Sequence, residues 1–215
     1  MRIGILGGTF NPIHIGHIRL GVEVKEKMEL DEVHFVPSYH PPHKKNIEIL
    51  PFDKRCELVE KAISHISGFK INRIEKELGK TPSYTFFTLT AYKSLYPKAE
   101  LFFILSSKDF ILLPTWYKWK EVIQLTDFIV AGKDEDFEKI DEFLKKNFSF
   151  VKRFQNAWTL DTSSIFFITI PELEISSSMI REKIKKGKSI SYLVPFPIEK
   201  LILDLLQDQQ FSVSL

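Results

Sequence analysis

Gly7-Gly8-Thr9-Phe10-Asn11-Pro12-Ile13-His14-Ile15-Gly16-His17 follows an apolar patch at residues 2–6 and leads into a helix-like stretch at residues 16–28. A strand, a glycine turn and a helix start form the place where an open α/β sheet receives a phosphate, because backbone amides and the helix dipole face the anion there. The spacing is neither the dinucleotide fingerprint G-x-G-x-x-G nor the Walker loop G-x-x-x-x-G-K-[ST]. The turn offers instead two glycines, Gly7 and Gly8, that expose backbone N–H groups, and two histidines three residues apart. That spacing puts both imidazoles on one face of the first helical turn. Gly16 between them has no side chain, so a flat ligand can come close to the backbone. A helix start disfavours protonated imidazole, so His14 and His17 read as neutral groups that each donate a hydrogen bond to an anion. The plain alternative is a pair of capping or packing histidines. A zinc site is disfavoured, since no third ligand stands nearby.

Outward from this turn, apolar patches of strand length recur at residues 32–36, 69–74, 100–105, 127–131 and 165–170. Several are nearly all apolar and rich in Val, Ile and Phe, as in strands buried on both faces. Helix-like stretches lie between and after them, at residues 53–66, 83–96, 116–125, 135–146, 179–186 and about 198–207, the last following Pro195-Phe196-Pro197. The alternation predicts an α/β fold, a Rossmann-like open parallel sheet with helices on both faces. One domain is expected over residues 1–215, with a helical C-terminal portion at about 175–210. Residues 148–164 give no legible pattern.

Composition excludes several classes. With 215 residues, 44% apolar and 27% charged, the chain can bury a core without staples and is not a disordered chain or simple coiled coil. Its apolar runs are too short to cross a bilayer. The first residues do not form a secretory signal, so the expected compartment is the cytoplasm. Cys56 is the only cysteine, which excludes an intramolecular disulfide and a cysteine-based zinc site. Thirty basic against 28 acidic side chains is too even to predict nucleic acid as a partner. The lysines at 44–45 and 183–188 read as solvated faces. The 19 phenylalanines read as core.

Ile175-Ser176-Ser177-Ser178-Met179-Ile180-Arg181 opens another helix. Ser178 is read as its N-cap. Arg181 then falls three residues on, where a capping box carries Glu or Gln, and a cation there is unfavourable unless an anion is bound. Serine hydroxyls, helix-start amides and a guanidinium would converge on phosphate oxygens.

These two stretches resemble the nucleotidyltransferase α/β-phosphodiesterase superfamily. His14-Ile15-Gly16-His17 spells the HIGH motif that it shares with class I aminoacyl-tRNA synthetases, and Ser176 to Arg181 resembles its I-S-S-T-x-I-R motif, with Ser178 in the threonine position. Pro41-Pro42-His43-Lys44, Pro82-Ser83-Tyr84-Thr85, Leu113-Pro114-Thr115-Trp116-Tyr117 and Ser191-Tyr192-Leu193-Val194-Pro195 narrow the resemblance to the bacterial nicotinate-nucleotide adenylyltransferases, over residues 3 to about 200. Two departures stand out. Phe87 occupies a position that is usually acidic there, and Ser106-Ser107-Lys108 replaces G-x-D, with Asp109 one step late.

The resemblance implies adenylyl transfer from ATP to nicotinate mononucleotide, giving deamido-NAD and pyrophosphate. His14, His17 and Arg181 would be catalytic. Gly7, Gly8, Thr9, Phe10, Gly16, Ser106, Asp109, Ser176, Ser177 and Ser178 would bind ATP. His43, Lys44, Tyr84, Thr85, Trp116 and Tyr117 would hold the acceptor nucleotide. Magnesium would arrive with the triphosphate, and neither nucleic acid nor membrane is an expected partner; homo-oligomerisation stays open. The alternatives are a same-fold transferase acting on nicotinamide mononucleotide or another phosphorylated acceptor, and a nucleotide-binding regulatory module without chemistry.

Overall fold

The computed structural model describes residues 1–42, 49–149, 151–171 and 173–212. The first strand, β1 (Arg2–Gly8), lies between β2 (Glu32–Pro37) and β4 (Glu100–Ser106); β3 (Phe69–Ile71) extends one side, and β5 (Asp127–Gly132) then β8 (Ser164–Thr169) extend the other. All of these pairings are parallel. Two short strands, β6 (Lys152–Phe154) and β7 (Ala157–Thr159), add an antiparallel edge, for the order β3-β2-β1-β4-β5-β8-β7-β6 among the described residues. The chain leaves β1 to one side and returns to β4 on the other. The topological switch point, where open α/β sheets open a crevice at the strands' C-terminal ends, therefore lies between β1 and β4.

Alternate residues of the central strands enter opposite cores, as the period of two requires. In β4, Phe102 and Ile104 pack to one side and Phe103 and Leu105 to the other. The first side holds α1 (Ile15–Lys27), α2 (Phe52–Ile63), α8 (Ser177–Lys185) and α9 (Phe196–Ser212); the second holds α3 (Ile74–Leu78), α4 (Thr85–Leu95), α5 (Ser107–Ile111), α6 (Trp119–Leu125) and α7 (Asp136–Asn147). Sequence periodicity foresaw the six parallel strands and the two faces.

Several local readings are corrected. The strand expected through residue 74 stops at Ile71, because Asn72 accepts the Ile74 N–H and starts α3. The helix expected from residue 83 starts at Thr85, and the one expected from residue 116 starts at Trp119, after a 3-10 turn at Leu113–Thr115 and a left-handed Lys118. The unassigned residues 148–164 carry the β6–β7 hairpin, which reverses at Gln155 with φ +46°. Trp158 anchors it, donating its indole N–H to Asp141 at 2.7 Å.

Candidate active site

A cleft of about 850 Å3 opens at the switch point, and the first turn, the start of α4, the start of α5 and the start of α8 all reach its walls. Strand β1 runs through Gly7 and Gly8, which pair with Val36 and Pro37, so the reversal itself begins at Thr9. Phe10 takes φ +48° and turns its ring inward. It was expected among the ATP contacts. Its side chain is instead buried, edge-on to His17 with ring centres 5.1 Å apart. A Cβ on Gly8 would lie 2.9 Å from that ring, so glycine is required there by Phe10 itself.

His14 is the N-cap of α1 and His17 is its third residue. Their rings lie 3.6 Å apart, centre to centre, and both line the cleft. The His14 N–H donates to Nδ1 of His17 at 3.2 Å. Nδ1 of His17 is therefore an acceptor in this bond, which places a ring hydrogen on Nε2. Burial lowers the His14 pKa to about 4, so this ring is neutral at pH 7. Its Nδ1 is buried and has no hydrogen-bond partner among the described residues. Gly16 makes room for that ring: a Cβ there would lie 3.1 Å from Nδ1 of His14. The first amide of α1, Ile15 N–H, is taken by the Leu193 carbonyl at 3.0 Å, so the anion-binding capacity of this helix start rests on side chains more than on that amide.

The second helix start meets the first. The N-cap of α8 is Ser176, whose hydroxyl accepts the Met179 N–H at 3.2 Å, and not Ser178 as expected. Arg181 accordingly stands in the second turn. It reaches back across α8, donating to the Asn11 carbonyl at 2.6 Å and to the Ser178 hydroxyl at 3.2 Å. Its guanidinium ties α8 to the first turn and is not part of the cleft wall. Ser177 donates to the Pro12 carbonyl at 2.9 Å. Ser176 and Ser178 act as acceptors in these bonds, which leaves their hydroxyl hydrogens for a ligand.

At the end of β4, Ser106 caps α5: it accepts the Asp109 N–H at 3.1 Å and donates to the Asp109 carboxylate at 2.7 Å. Asp109 is thus committed to the cap while lining the cleft. Opposite, Tyr84, Thr85, Trp116 and Tyr117 form an aromatic wall, with Tyr84 stacked on Tyr117 at 4.6 Å and Phe87 stacked on the same ring at 5.9 Å. The usually acidic position is therefore filled by a ring that backs Tyr117. His43 and Lys44 lie outside the described residues. Among the described residues no cluster of three or more His, Cys, Asp or Glu could hold a metal ion. No described helix is long and apolar enough to cross a membrane.

Sequence reading missed two buried polar groups beside the cleft, Arg55 and Glu75. Arg55 was discoverable, because a charge at the centre of the apolar stripe Phe52, Cys56, Val59 and Ile63 needs a buried partner. Glu75 carries no such signal.

Residues 5–183 match the cytidylyltransferase-like family model. A probable nicotinate-nucleotide adenylyltransferase of Trichlorobacter lovleyi is 37% identical over 94% of this chain and 96% of its own length. The nicotinate-nucleotide adenylyltransferase of Bacillus subtilis is 36% identical over 94% of this chain and 95% of its own length. The chain belongs to the nicotinate-nucleotide adenylyltransferase family. In fold it resembles the Plasmodium falciparum nicotinic acid mononucleotide adenylyltransferase complexed with APC, at a TM-score of 0.70 and 20% identity over 97% of this chain and 96% of that one.

Proposed function

We propose that this chain transfers the adenylyl group of ATP to nicotinate mononucleotide. A phosphate oxygen of the acceptor bonds to the α-phosphorus of ATP, the bond from that phosphorus to the bridging oxygen breaks, and pyrophosphate leaves as deamido-NAD forms. The observation that carries the reading is the stacked pair His14 and His17, 3.6 Å apart and sharing a cleft wall with Ser176, Ser177 and Ser178. The attacking phosphate is already ionised at pH 7, so no general base is required, and the residues present supply donors rather than a base. Catalysis is then positioning plus stabilisation of the charge on the α-phosphate.

In this reading His14 and His17 donate to that phosphate, and the Ser176 and Ser178 hydroxyls donate to the neighbouring phosphates. Arg181 acts by locking the two helix starts together and by adding positive charge behind them. Thr9 and the start of α5 face the nucleoside part of ATP. Tyr84, Thr85, Trp116 and Tyr117 receive the pyridine ring of the acceptor. Magnesium is part of the substrate, MgATP, and offsets the charge of the departing pyrophosphate; among the described residues no group of three or more His, Cys, Asp or Glu forms a cage for it. The test is pyrophosphate release from purified protein with MgATP and each acceptor. Release with nicotinate mononucleotide well above that with the amide form is expected. Preference for the amide would move the assignment to the sister activity, and ATP binding without turnover on any acceptor would make the chain a regulatory module.

A further inference from the structure

Arg55 and Glu75 are buried charges that the transfer chemistry leaves unused. Arg55, on α2, is 1% exposed. Its hydrogen bonds all go to backbone carbonyls: Nε to Leu50 at 3.0 Å, Nη1 to Thr9 at 2.7 Å and Nη2 to Ser38 at 2.8 Å. Glu75, on α3, is 8% exposed. Its Oε2 accepts the Tyr39 N–H at 2.9 Å, its Oε1 accepts the Thr88 hydroxyl at 3.0 Å, and the Ser83 hydroxyl bonds to it as well. A buried charge is tolerated only where such partners meet it.

The Ser38 carbonyl and the Tyr39 N–H are the two ends of one peptide group. Arg55 holds its oxygen and Glu75 holds its hydrogen, and the two opposite charges attract each other across it. This peptide opens the loop after β2, which reaches the cleft at Pro41 and Pro42. Arg55 also grips Thr9 in the first turn. Glu75 also grips Thr88 and Ser83, which flank Tyr84 and Thr85. His40 fastens the same seam, giving its N–H to the Ser83 hydroxyl and accepting the Ser83 N–H, both at 2.9 Å.

We propose that Arg55 and Glu75 are positioning residues that clamp the Ser38–Tyr39 peptide from both ends and so fix the distance between the turn that holds ATP and the wall that holds the acceptor. The proposal rests on the adenylyl-transfer reading of the cleft. In-line attack needs reacting atoms about 3–3.5 Å apart, and a misplacement of about 1 Å costs roughly a hundredfold. Each half-site keeps its own contacts when the clamp is broken, so the loss falls on turnover and not on the binding of either substrate.

The experiment compares Arg55→Lys, Glu75→Ala and Glu75→Gln with the parent chain, in kcat, both KM values and thermal unfolding. Arg55→Lys and Glu75→Ala are expected to lower kcat by about 10- to 100-fold with each KM within about threefold. Glu75→Gln is expected to recover most of the loss, because its amide oxygen accepts the Tyr39 N–H while its amide nitrogen donates to the Thr88 hydroxyl. Lower unfolding temperatures with unchanged kcat would reduce both residues to structural ballast and overturn the proposal. If Arg55→Lys does not fold, the two Glu75 variants decide. If the parent chain turns over no acceptor, the functional reading fails first, and amide exchange in Glu75→Ala decides the clamp. Faster exchange at residues 7–17 and 38–42 supports it, and unchanged exchange there refutes it.

Discussion

Replacing Gly16 by alanine puts one methyl group against the ring of His14. The new Cβ lies 3.1 Å from Nδ1 and 3.2 Å from Cε1 of His14, where ordinary contact begins at 3.4 Å. The His14 ring must therefore move by a few tenths of an ångström, and it is buried against His17 on its other side. If about 1 Å of misplacement costs about a hundredfold, a shift of this size costs roughly three- to tenfold in kcat. Stability falls by about 0–2 kcal/mol, since the overpacking cost of about 1–3 kcal/mol is offset by about 1 kcal/mol from replacing glycine in a helix. The assay is steady-state pyrophosphate release with MgATP and nicotinate mononucleotide, beside a thermal unfolding curve. A folded Gly16→Ala protein with undiminished kcat would show that the placement of the His14 ring does not matter to the reaction.

Removing a donor outright has a larger effect: His17→Ala is expected to cost about a hundredfold or more in kcat with an unchanged melting profile, and near-normal turnover would strike His17 from the chemistry. The acid response of stability follows from His14. Burial holds its pKa at about 4 in the native chain against an ordinary 6.5, so between those values the unfolded chain binds a proton that the native chain does not. Its contribution is complete above pH 6.5 and falls by up to about 3 kcal/mol as pH drops through 4. Denaturant unfolding at pH 7 and pH 4.5 checks this, and an identical loss in His14→Gln would clear His14 of the effect. Tyr117→Ala is expected to raise the KM for the acceptor severalfold and leave that for ATP alone, because its ring, 42% exposed, stacks only on the aromatic wall; a shift in the ATP constant instead would reverse the proposed polarity of the cleft.

What could be read from the chain was what is written locally. The β1 turn announces itself through Gly7, Gly8, His14 and His17, and the parallel strands through residues such as 102–105 and 128–131 that are apolar on both faces. The β6–β7 hairpin could not be read, because Lys152-Arg153-Phe154 is an exposed strand of three residues with no alternation to detect. The α8 cap was misplaced because Ser176, Ser177 and Ser178 are equally good N-caps by type; only the extended backbone of Ser176, φ −133°, selects among them. That two-residue slip moves Arg181 from the first turn into the second, where its guanidinium donates to the Asn11 carbonyl and the Ser178 hydroxyl. The inward turn of Phe10 was not legible for a related reason: a residue inside a tight turn can face the core, and only its φ of +48° and its burial show that it does.

Three bonds close the first turn from the far end of the chain: Ser177 to Pro12, Arg181 to Asn11, and Ile15 to Leu193. Two of these ties join residues 165 and 170 positions apart, so the shape of the turn after β1 depends on α8 and the segment after it. A nascent or truncated chain that stops before Ser176 lacks every one of these ties. Such a chain keeps the nearer holds on the turn, from Arg55 to the Thr9 carbonyl and from the Leu50 N–H to Asn11, but loses the distant ones that fix where His14 and His17 sit relative to the serines of α8.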